Sequence, residues 1–359
     1  MITSIRLRNF KGHRDTTLPL RRMTVLVGPN GAGKTSLLQA LNLLSRLVQE
    51  PPNHVLSGES APRDLISRSV PTRLVSMEAQ GVEGESPWSV TVELSEPPPQ
   101  KSPVHRLAWM EGLIQGAKDN PDATLQSLWD RPVLTQAVGN TVFYHFDASR
   151  IAAPAYSAEE EPVVEENGEN TAVVLAHLKL DREDVFNQIS AEFRKIVPNV
   201  KRVHVTRAKF QAGNITLMGN RILLDFKGAA DVPAHAASEG TLITLALLTA
   251  LCSPNHPRVI LLDDIERSLH PQAQMELVRE LKKLLESFPD VQIIATTHSP
   301  YILDEMSPKD VWALALRDDG SVALKSLAEH PQAAQMEGAL TTGQLWSLDP
   351  EWRWVLGQK

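Results

Sequence analysis

The sequence has very little cysteine and no long apolar run. Its one thiol, Cys252, has no second cysteine to pair with, so a disulfide framework and a thiolate metal cluster are both excluded. No apolar run approaches the roughly 20 residues that a bilayer-spanning helix needs. The first residues alternate like a strand and do not form a charged and then apolar leader. We therefore expect a cytoplasmic protein that is neither secreted nor membrane-embedded.

An excess of positive charge is also missing. The chain carries 36 Lys and Arg against 43 Asp and Glu, a formal net charge of -7. Nucleic acid is therefore not held by an overall basic field, and any such contact has to be local. Apolar residues make up 42% of the 359 residues, which is enough for a sizeable core in one large domain or two modest ones.

A strand, a glycine-rich loop and a helix follow each other near the N-terminus. Ile2 to Phe10 nearly alternates between apolar and polar residues, and Met23 to Val27 is a short apolar run; these patterns predict a half-buried and a fully buried strand. Lys34 to Glu50 has the apolar periodicity of a helix. Its predicted buried stripe is Leu37, Leu38, Leu41, Leu44, Leu47 and Val48.

The loop between this strand and helix fits the phosphate-binding pattern G-x-x-x-x-G-K-[ST], from Gly28 to Thr35. Glycines let backbone N–H groups turn toward phosphates, and the helix presents its positive N-terminal end to them. Lys34 is predicted to reach the β and γ oxygens of ATP, and the Thr35 hydroxyl to ligate magnesium. A glycine-rich turn that merely caps a helix is the alternative. The predicted ATP-binding residues of this segment are Asn30, Gly31, Ala32, Gly33, Lys34, Thr35 and Ser36.

Two carboxylates end an apolar strand from Val259 to Leu262. Ligands of open α/β sheets bind at the carboxyl ends of strands, so Asp263 is predicted to hold the magnesium shell. Asp264 would then orient or deprotonate the attacking water. A polar turn that closes a buried strand is the alternative interpretation.

A histidine follows a second apolar strand, Val291 to Thr296. His298 is predicted to end beside the phosphates and to sense the γ-phosphate, although a lone histidine is more often structural. A helix from Pro271 to Phe288 connects the two strands, which gives a βαβ unit.

The rest of the chain divides by composition. Residues 51–136 are rich in Pro, Ser, Gly and Glu, and we expect an inserted lobe there. Strands at Val200 to Phe210, Asn214 to Met218 and Arg221 to Phe226 predict a β-rich layer, with a hairpin at Gly219 and Asn220. A mainly apolar helix is predicted from Ser238 to Cys252.

Four segments together resemble the RecF/SMC-like branch of ABC ATPases, in the compact AAA-family group akin to the ATPase part of OLD-type and Septu-type defence proteins. Ile5 to Gly12 resembles the first strand of that family, and Ala237 to Leu242 its signature motif. Leu261 to Pro271 resembles its Walker B and D-loop region, and His298 its switch histidine. The resemblance implies an α/β P-loop fold of the ABC-ATPase head type with a β-rich layer, formed by residues 1–50 and 137–359.

The resemblance also implies how the protein works. In this family, Ser238 and Gly240 would contact the γ-phosphate that the other subunit's P-loop holds, so two ATP sites form only in a homodimer. By itself, Ser238 could also be a helix N-cap. The family usually has Glu where this chain has Asp264, whose carboxylate is one methylene shorter. Hydrolysis is therefore expected to be slow, since about 1 Å of displacement can cost on the order of a hundredfold in rate, or Glu266 contributes.

These motifs predict an ATP hydrolase with magnesium that acts as a nucleotide-gated switch for a separate effector, such as a nuclease in antiviral defence. OLD-type proteins carry a nuclease domain after the ATPase, whereas only about sixty residues follow His298 here. A RecF-like clamp is the alternative, with nucleic acid bound through local basic residues. Those residues are Arg194, Lys195, Lys201, Arg202, Arg207 and Lys209. A small-molecule kinase or transport ATPase fits the signature motif less well.

Overall fold

The computed structural model describes residues 1–50, 52–56, 62–67, 74–95, 104–111, 114–119, 132–213, 215–334 and 338–357. Its strands are β1 (Ile2–Phe10), β2 (His13–Pro19), β3 (Met23–Val27), β4 (Leu74–Glu83), β5 (Ser86–Ser95), β6 (Val104–Glu111), β7 (Ile114–Asp119), β8 (Thr141–Tyr144), β9 (Val200–Ala212), β10 (Ile215–Phe226), β11 (Ala229–Pro233), β12 (Val259–Leu262), β13 (Gln292–Thr296), β14 (Val311–Leu316) and β15 (Val322–Ser326).

Helices lie between these strands. The α-helices are α1 (Lys34–Gln49), α2 (Pro52–Val55), α3 (Pro62–Leu65), α4 (Pro132–Leu134), α5 (Ala148–Ala152), α6 (Thr171–Asp181), α7 (Glu183–Ile196), α8 (Glu239–Cys252), α9 (Pro271–Ser287), α10 (Pro300–Asp304), α11 (Thr342–Leu348) and α12 (Glu351–Trp354). A π-helical turn spans Thr135–Gly139, and 3-10 turns span Ala234–Ala236, Pro308–Asp310 and Leu327–Glu329. Within the described ranges, every helix is too short or too polar to cross a lipid bilayer.

The chain forms two compact units. The first contains Met1–Phe143, Arg258–Ile265 and Phe288–Lys359, and the second contains Tyr144–Pro257 and Glu266–Ser287. The first unit has two six-stranded sheets, in the orders β2-β1-β4-β5-β6-β7 and β15-β14-β3-β13-β12-β8. In the second of these sheets, β12, β13, β3 and β14 run parallel to one another. The βαβ unit and the α/β class predicted from the sequence are confirmed.

Helix α1 packs against both sheets of the first unit, on β1 and on β12 and β13. All six residues of its predicted apolar stripe are buried. Each fully buried Leu or Val side chain of this kind stabilises the fold by about 1.5–3 kcal/mol. This burial fixes the start of α1, and with it the loop from Gly28 to Gly33, against the carboxyl ends of the parallel strands.

Residues 51–136 continue the first sheet within the described ranges. Strand β4 pairs with β1 from Ile2↔Gly81 to Arg8↔Ser76, and β5, β6 and β7 follow by successive antiparallel pairing. This segment therefore shares a sheet with the N-terminal strands. That it is an inserted lobe stays a prediction.

The second unit has a three-stranded sheet in the order β11-β10-β9, and α8 packs against α5, α6 and α7. The hairpin predicted at Gly219 and Asn220 is wrong, because both residues lie inside the continuous strand β10. The chain instead reverses between β9 and β10, next to Gly213 at φ +61°. Gly219 serves another purpose: a Cβ atom there would lie 2.3 Å from the Ala155 carbonyl oxygen, and the Ala155 segment exchanges backbone hydrogen bonds with Asn220.

Candidate nucleotide site

The predicted phosphate loop lies between the buried strand β3 and helix α1 in the first unit. Gly28 has φ +141°, and a Cβ atom there would lie 2.3 Å from the Leu314 carbonyl oxygen of the adjacent strand β14. Gly33, with φ +97°, is the N-cap of α1. Both positions require glycine, for close approach in one case and for a left-handed backbone in the other. The loop therefore has the conformation that the sequence pattern predicts.

Lys34 is the first residue of α1 and is 6% exposed. Its Nζ atom donates to the carbonyl oxygens of Gly28 at 2.8 Å and Pro29 at 3.1 Å. The ammonium group therefore lies across the loop, at the helix end where unpaired backbone N–H groups attract anions. A positive side chain and a helix N-terminus converge on the same place.

Thr35 and Asp263 meet directly, although they are 228 positions apart. The Thr35 hydroxyl donates to Asp263 Oδ2 at 2.9 Å. The two residues follow β3 and β12, which flank β13. Because parallel neighbouring strands end at the same edge of a sheet, the loop and the carboxylate come together there.

Thr296, the last residue of β13, completes this arrangement. Its hydroxyl donates to Asp263 Oδ1 at 2.6 Å and accepts the backbone N–H of Asp264 at 2.8 Å. The side chain is fully buried. Thr296 is not among the site residues predicted from the sequence. The available signal was a polar β-branched residue at the end of an apolar strand, directly before Thr297 and His298.

Asp264 and His298 are near neighbours. His298 Nε2 lies 4.0 Å from Asp264 Oδ1, and the two side chains are 38% and 54% exposed. Asp264 has φ +51°, a left-handed conformation that Asp tolerates better than most residues. The bond from its N–H to Thr296 holds this backbone geometry. The structure thus brings together the predicted water-orienting carboxylate and the predicted sensor histidine.

Three predicted site residues, Ser238, Gly240 and Glu266, belong to the second unit. Ser238 is the N-cap of α8: its Oγ accepts the Thr241 N–H at 3.3 Å and lies 2.7 Å from Thr241 Oγ1. A Cβ atom on Gly240 would lie 2.4 Å from the Ser268 carbonyl oxygen. Glu266 is half-buried in the same unit. The helix-cap interpretation of Ser238 is therefore correct, and the nucleotide contacts of Ser238, Gly240 and Glu266 stay predictions.

Comparison with known families identifies the chain. The family model "AAA domain, putative AbiEii toxin, Type IV TA system" matches residues 125–304, half of the sequence, and the model "AAA ATPase domain" matches residues 1–65. The chain belongs to the AAA-domain family. This membership supports ATPase activity in general and implies nucleotide binding. The resemblance noted from the sequence motifs is confirmed.

Relatives of this AAA-domain protein match it over short segments. Septu protein PtuA from Bacillus thuringiensis is 36% identical over 69 residues, 19% of this chain and 17% of that protein. OLD nuclease from Thermus scotoductus is 46% identical over 44 residues, 12% and 8% of the two chains. Retron Ec83 probable ATPase from Escherichia coli is 34% identical over 56 residues, 16% and 10%. The matched segments thus cover less than a fifth of each of these three relatives.

Solved structures resemble the AAA-domain protein over nearly its whole length. An Smc head bound to the C-winged helix domain of ScpA has a TM-score of 0.62 and 14% identity, covering 93% of this chain and 99% of that one. The SMC head domain from Thermotoga maritima has a TM-score of 0.54 and 16% identity, covering 90% and 98%. At these identities the likeness establishes the fold, and the predicted ABC-ATPase head type is confirmed.

Proposed function

We propose that this protein binds Mg-ATP between two copies of itself and acts as a nucleotide-gated switch for a separate effector. The observation that carries the proposal is the hydrogen-bonded group of Thr35, Asp263 and Thr296 next to the buried ammonium of Lys34. A helix N-terminus and a lysine suit a triphosphate, and a hydroxyl with a carboxylate suits its magnesium.

Magnesium fits the donor set at this edge of the sheet. Mg²⁺ prefers oxygen ligands and keeps several waters, so it is bound by one or two protein groups together with phosphate oxygens. Thr35 Oγ1 and the Asp263 carboxylate lie 2.9 Å apart and supply these protein oxygens. The ion would contribute charge neutralisation on the β and γ phosphates. Asp263 would also hold the Thr35 side chain in place by accepting its hydroxyl.

The proposed hydrolytic step uses side chains beside the γ-phosphate position. Asp264 orients or deprotonates water, and His298, 4.0 Å from it, contacts the γ-phosphate. Glu266 is the proposed second carboxylate. Since Asp264 is one methylene shorter than the family's usual Glu, we propose slow turnover, with ATP acting mainly as a clamp between the copies.

The second half of each ATP site would come from the other copy, through Ser238 and Gly240 at the start of α8. This helix has 14 residues and an exposed N-cap hydroxyl, so its N-terminal N–H groups suit an anion. Likeness to SMC heads over 93% of the chain supports the dimer. Similarity to Septu protein PtuA, OLD nuclease and Retron Ec83 probable ATPase supports a nuclease-type effector in antiviral defence.

A mixing experiment tests the composite site. Lys34→Ala is expected to abolish tight Mg-ATP binding, and Ser238→Arg to preserve binding by the monomer but block ATP-dependent pairing. Mixing the two variants leaves one intact site per heterodimer, so differently tagged copies should pair only when mixed and only with ATP. Light scattering measures the mass, and Thr341→Arg is the matched control, since Thr341 is also an exposed hydroxyl N-cap. A wild-type chain that stays monomeric with Mg-ATP would refute the dimer.

The alternative of a DNA clamp receives less support from the basic residues. Lys195 is engaged by Glu192 at 2.6 Å and Glu280 at 3.2 Å. Arg202 and Arg207 are five positions apart on β9, so they point to opposite faces of the sheet. The six basic residues therefore do not form one surface. Salt-dependent DNA binding that is lost on reversing the charges of Lys201 and Arg202 would favour the clamp over the switch.

A further inference from the structure

A buried histidine lies directly behind the phosphate loop. His13 opens β2 and is fully buried. Its Nε2 atom lies 3.1 Å from the Gly33 carbonyl oxygen, and its Nδ1 atom lies 3.1 Å from the Thr16 hydroxyl oxygen. Both ring nitrogens therefore have a partner, and one of these partners is the last residue of the loop before Lys34.

These partners determine the ring's protonation. A carbonyl oxygen only accepts hydrogen bonds, so Nε2 must carry a proton. Nδ1 then accepts from the Thr16 hydroxyl when the ring is neutral. Burial lowers the pKa of His13 to about 4, with the bond to Gly33 opposing the shift. The imidazole is therefore a neutral donor of fixed tautomer near pH 7.

Glycine at position 33 makes the close contact possible. A Cβ atom there would lie 2.9 Å from His13 Nε2 and 2.9 Å from Val322 Cγ2. Val322 in turn donates its N–H to the Gly12 carbonyl oxygen at 2.9 Å, which ties β15 to the turn before His13. The ring is thus held between an anchored turn and the Gly33 peptide.

The contact acts on one peptide plane. The Gly33 carbonyl and the Lys34 N–H belong to the same trans peptide, so they point in opposite directions. The Gly33 carbonyl also accepts the Leu37 N–H at 3.2 Å, the first hydrogen bond of α1. The His13 donor adds a second constraint on the same oxygen, and together the two bonds aim the Lys34 N–H outward at the helix N-terminus. That N–H is one of the groups that a helix start offers to phosphate.

We infer that His13 is a positioning residue for phosphate: its Nε2–H orients the Gly33–Lys34 peptide so that the Lys34 N–H faces the nucleotide. His13 itself touches no ligand. This inference rests on the proposed nucleotide site. A misaimed N–H loses a hydrogen bond to a charged group, so His13→Phe should weaken Mg-ATP binding about tenfold or more.

The experiment compares His13→Phe, His13→Gln and His330→Phe by titration calorimetry with Mg-ATP. His330 is also buried in the same unit, with 3% of its surface exposed, so its variant controls for the loss of a buried imidazole. His13→Gln keeps an N–H donor and should recover most of the affinity. Equal Mg-ATP affinities for His13→Phe, His330→Phe and wild type would overturn the inference, whereas a wild-type chain that does not bind Mg-ATP would refute the proposed function itself.

A second measurement determines the tautomer of His13 in the wild-type chain. Long-range ¹⁵N spectra report the tautomer of each of the 11 histidines, and the His13 signal is identified by its absence in His13→Gln. We expect the Nε2–H tautomer, unchanged from pH 6 to pH 8. An Nδ1–H tautomer would overturn the inference even if His13→Phe fails to fold.

Discussion

Replacing Thr296 by valine tests the hydrogen bonds that join the two acidic residues to β13. Valine has nearly the same shape but removes the hydroxyl that donates to Asp263 and accepts from the Asp264 N–H. Losing a bond to a carboxylate costs about 1.5–3 kcal/mol, and leaving an N–H unpaired costs about 1–3 kcal/mol. Asp263 is only half-buried, so water can replace part of the hydrogen bonding that its carboxylate loses. We therefore expect the free energy of unfolding to fall by about 2 kcal/mol.

The same substitution should reduce turnover. Asp263 would lose the donor that fixes one of its oxygens, and removing such a supporting bond typically costs about 10- to 100-fold in activity. Urea unfolding measures the stability, and phosphate release measures the turnover. Thr296→Ser should recover most of both.

Thr249→Val is the matched control. Thr249 is equally buried, but its hydroxyl donates to the Leu245 carbonyl within its own helix, so its loss should cost well under 1 kcal/mol and leave turnover unchanged. Equal stability and turnover for Thr296→Val and Thr249→Val would refute the reasoning.

Three further predictions follow from named contacts. Asp264→Asn should reduce phosphate release about a hundredfold while leaving the Mg-ATP dissociation constant within about threefold, and Asp264→Glu should raise release; an unchanged rate in both would contradict the assigned role. Burial lowers the pKa of His13 from 6.5 to about 4, so the unfolded chain takes up a proton first and the native state loses stability as pH falls below 6.5. Between pH 8 and pH 5 this amounts to about 2 kcal/mol, which urea midpoints should show for wild type and not for His13→Gln. Gly240→Ala should destabilise the protein by about 1–3 kcal/mol, because the new methyl group would lie 2.4 Å from the Ser268 carbonyl oxygen; an unchanged melting temperature would contradict this contact.

Much of the candidate site was predictable from the sequence, because the patterns that indicate it are local. The P-loop pattern, the strand that ends in Asp263 and the strand before His298 each carry their signal within a few neighbouring residues. Because all three strands belong to a parallel sheet, their ends were expected to meet, and the contact between Thr35 and Asp263 agrees with this. The apolar stripe of α1 was predictable for the same reason: helical periodicity is local.

Features that depend on distant pairing were not predictable. The hydroxyl of Thr296 reaches Asp263 because β12 and β13 align Leu262 with Ala295, and one sequence alone does not give that register. The pairing of β4 with β1 is equally nonlocal. At Gly219 the sequence offered a turn signal, whereas the glycine is needed there for the close approach of Ala155.

The position of β3 has a consequence for protein synthesis. Both neighbours of this strand are encoded far downstream: Thr24 pairs with Ile294, and Val25 with Val311. On the ribosome, β3 and the loop after it therefore emerge long before either flanking strand exists. Pairing between strands that are far apart in sequence is slow, and until it occurs the apolar strand β3 is exposed to aggregation. A nascent chain arrested before β13 should consequently be unable to retain nucleotide and should depend on chaperones until translation has passed β14.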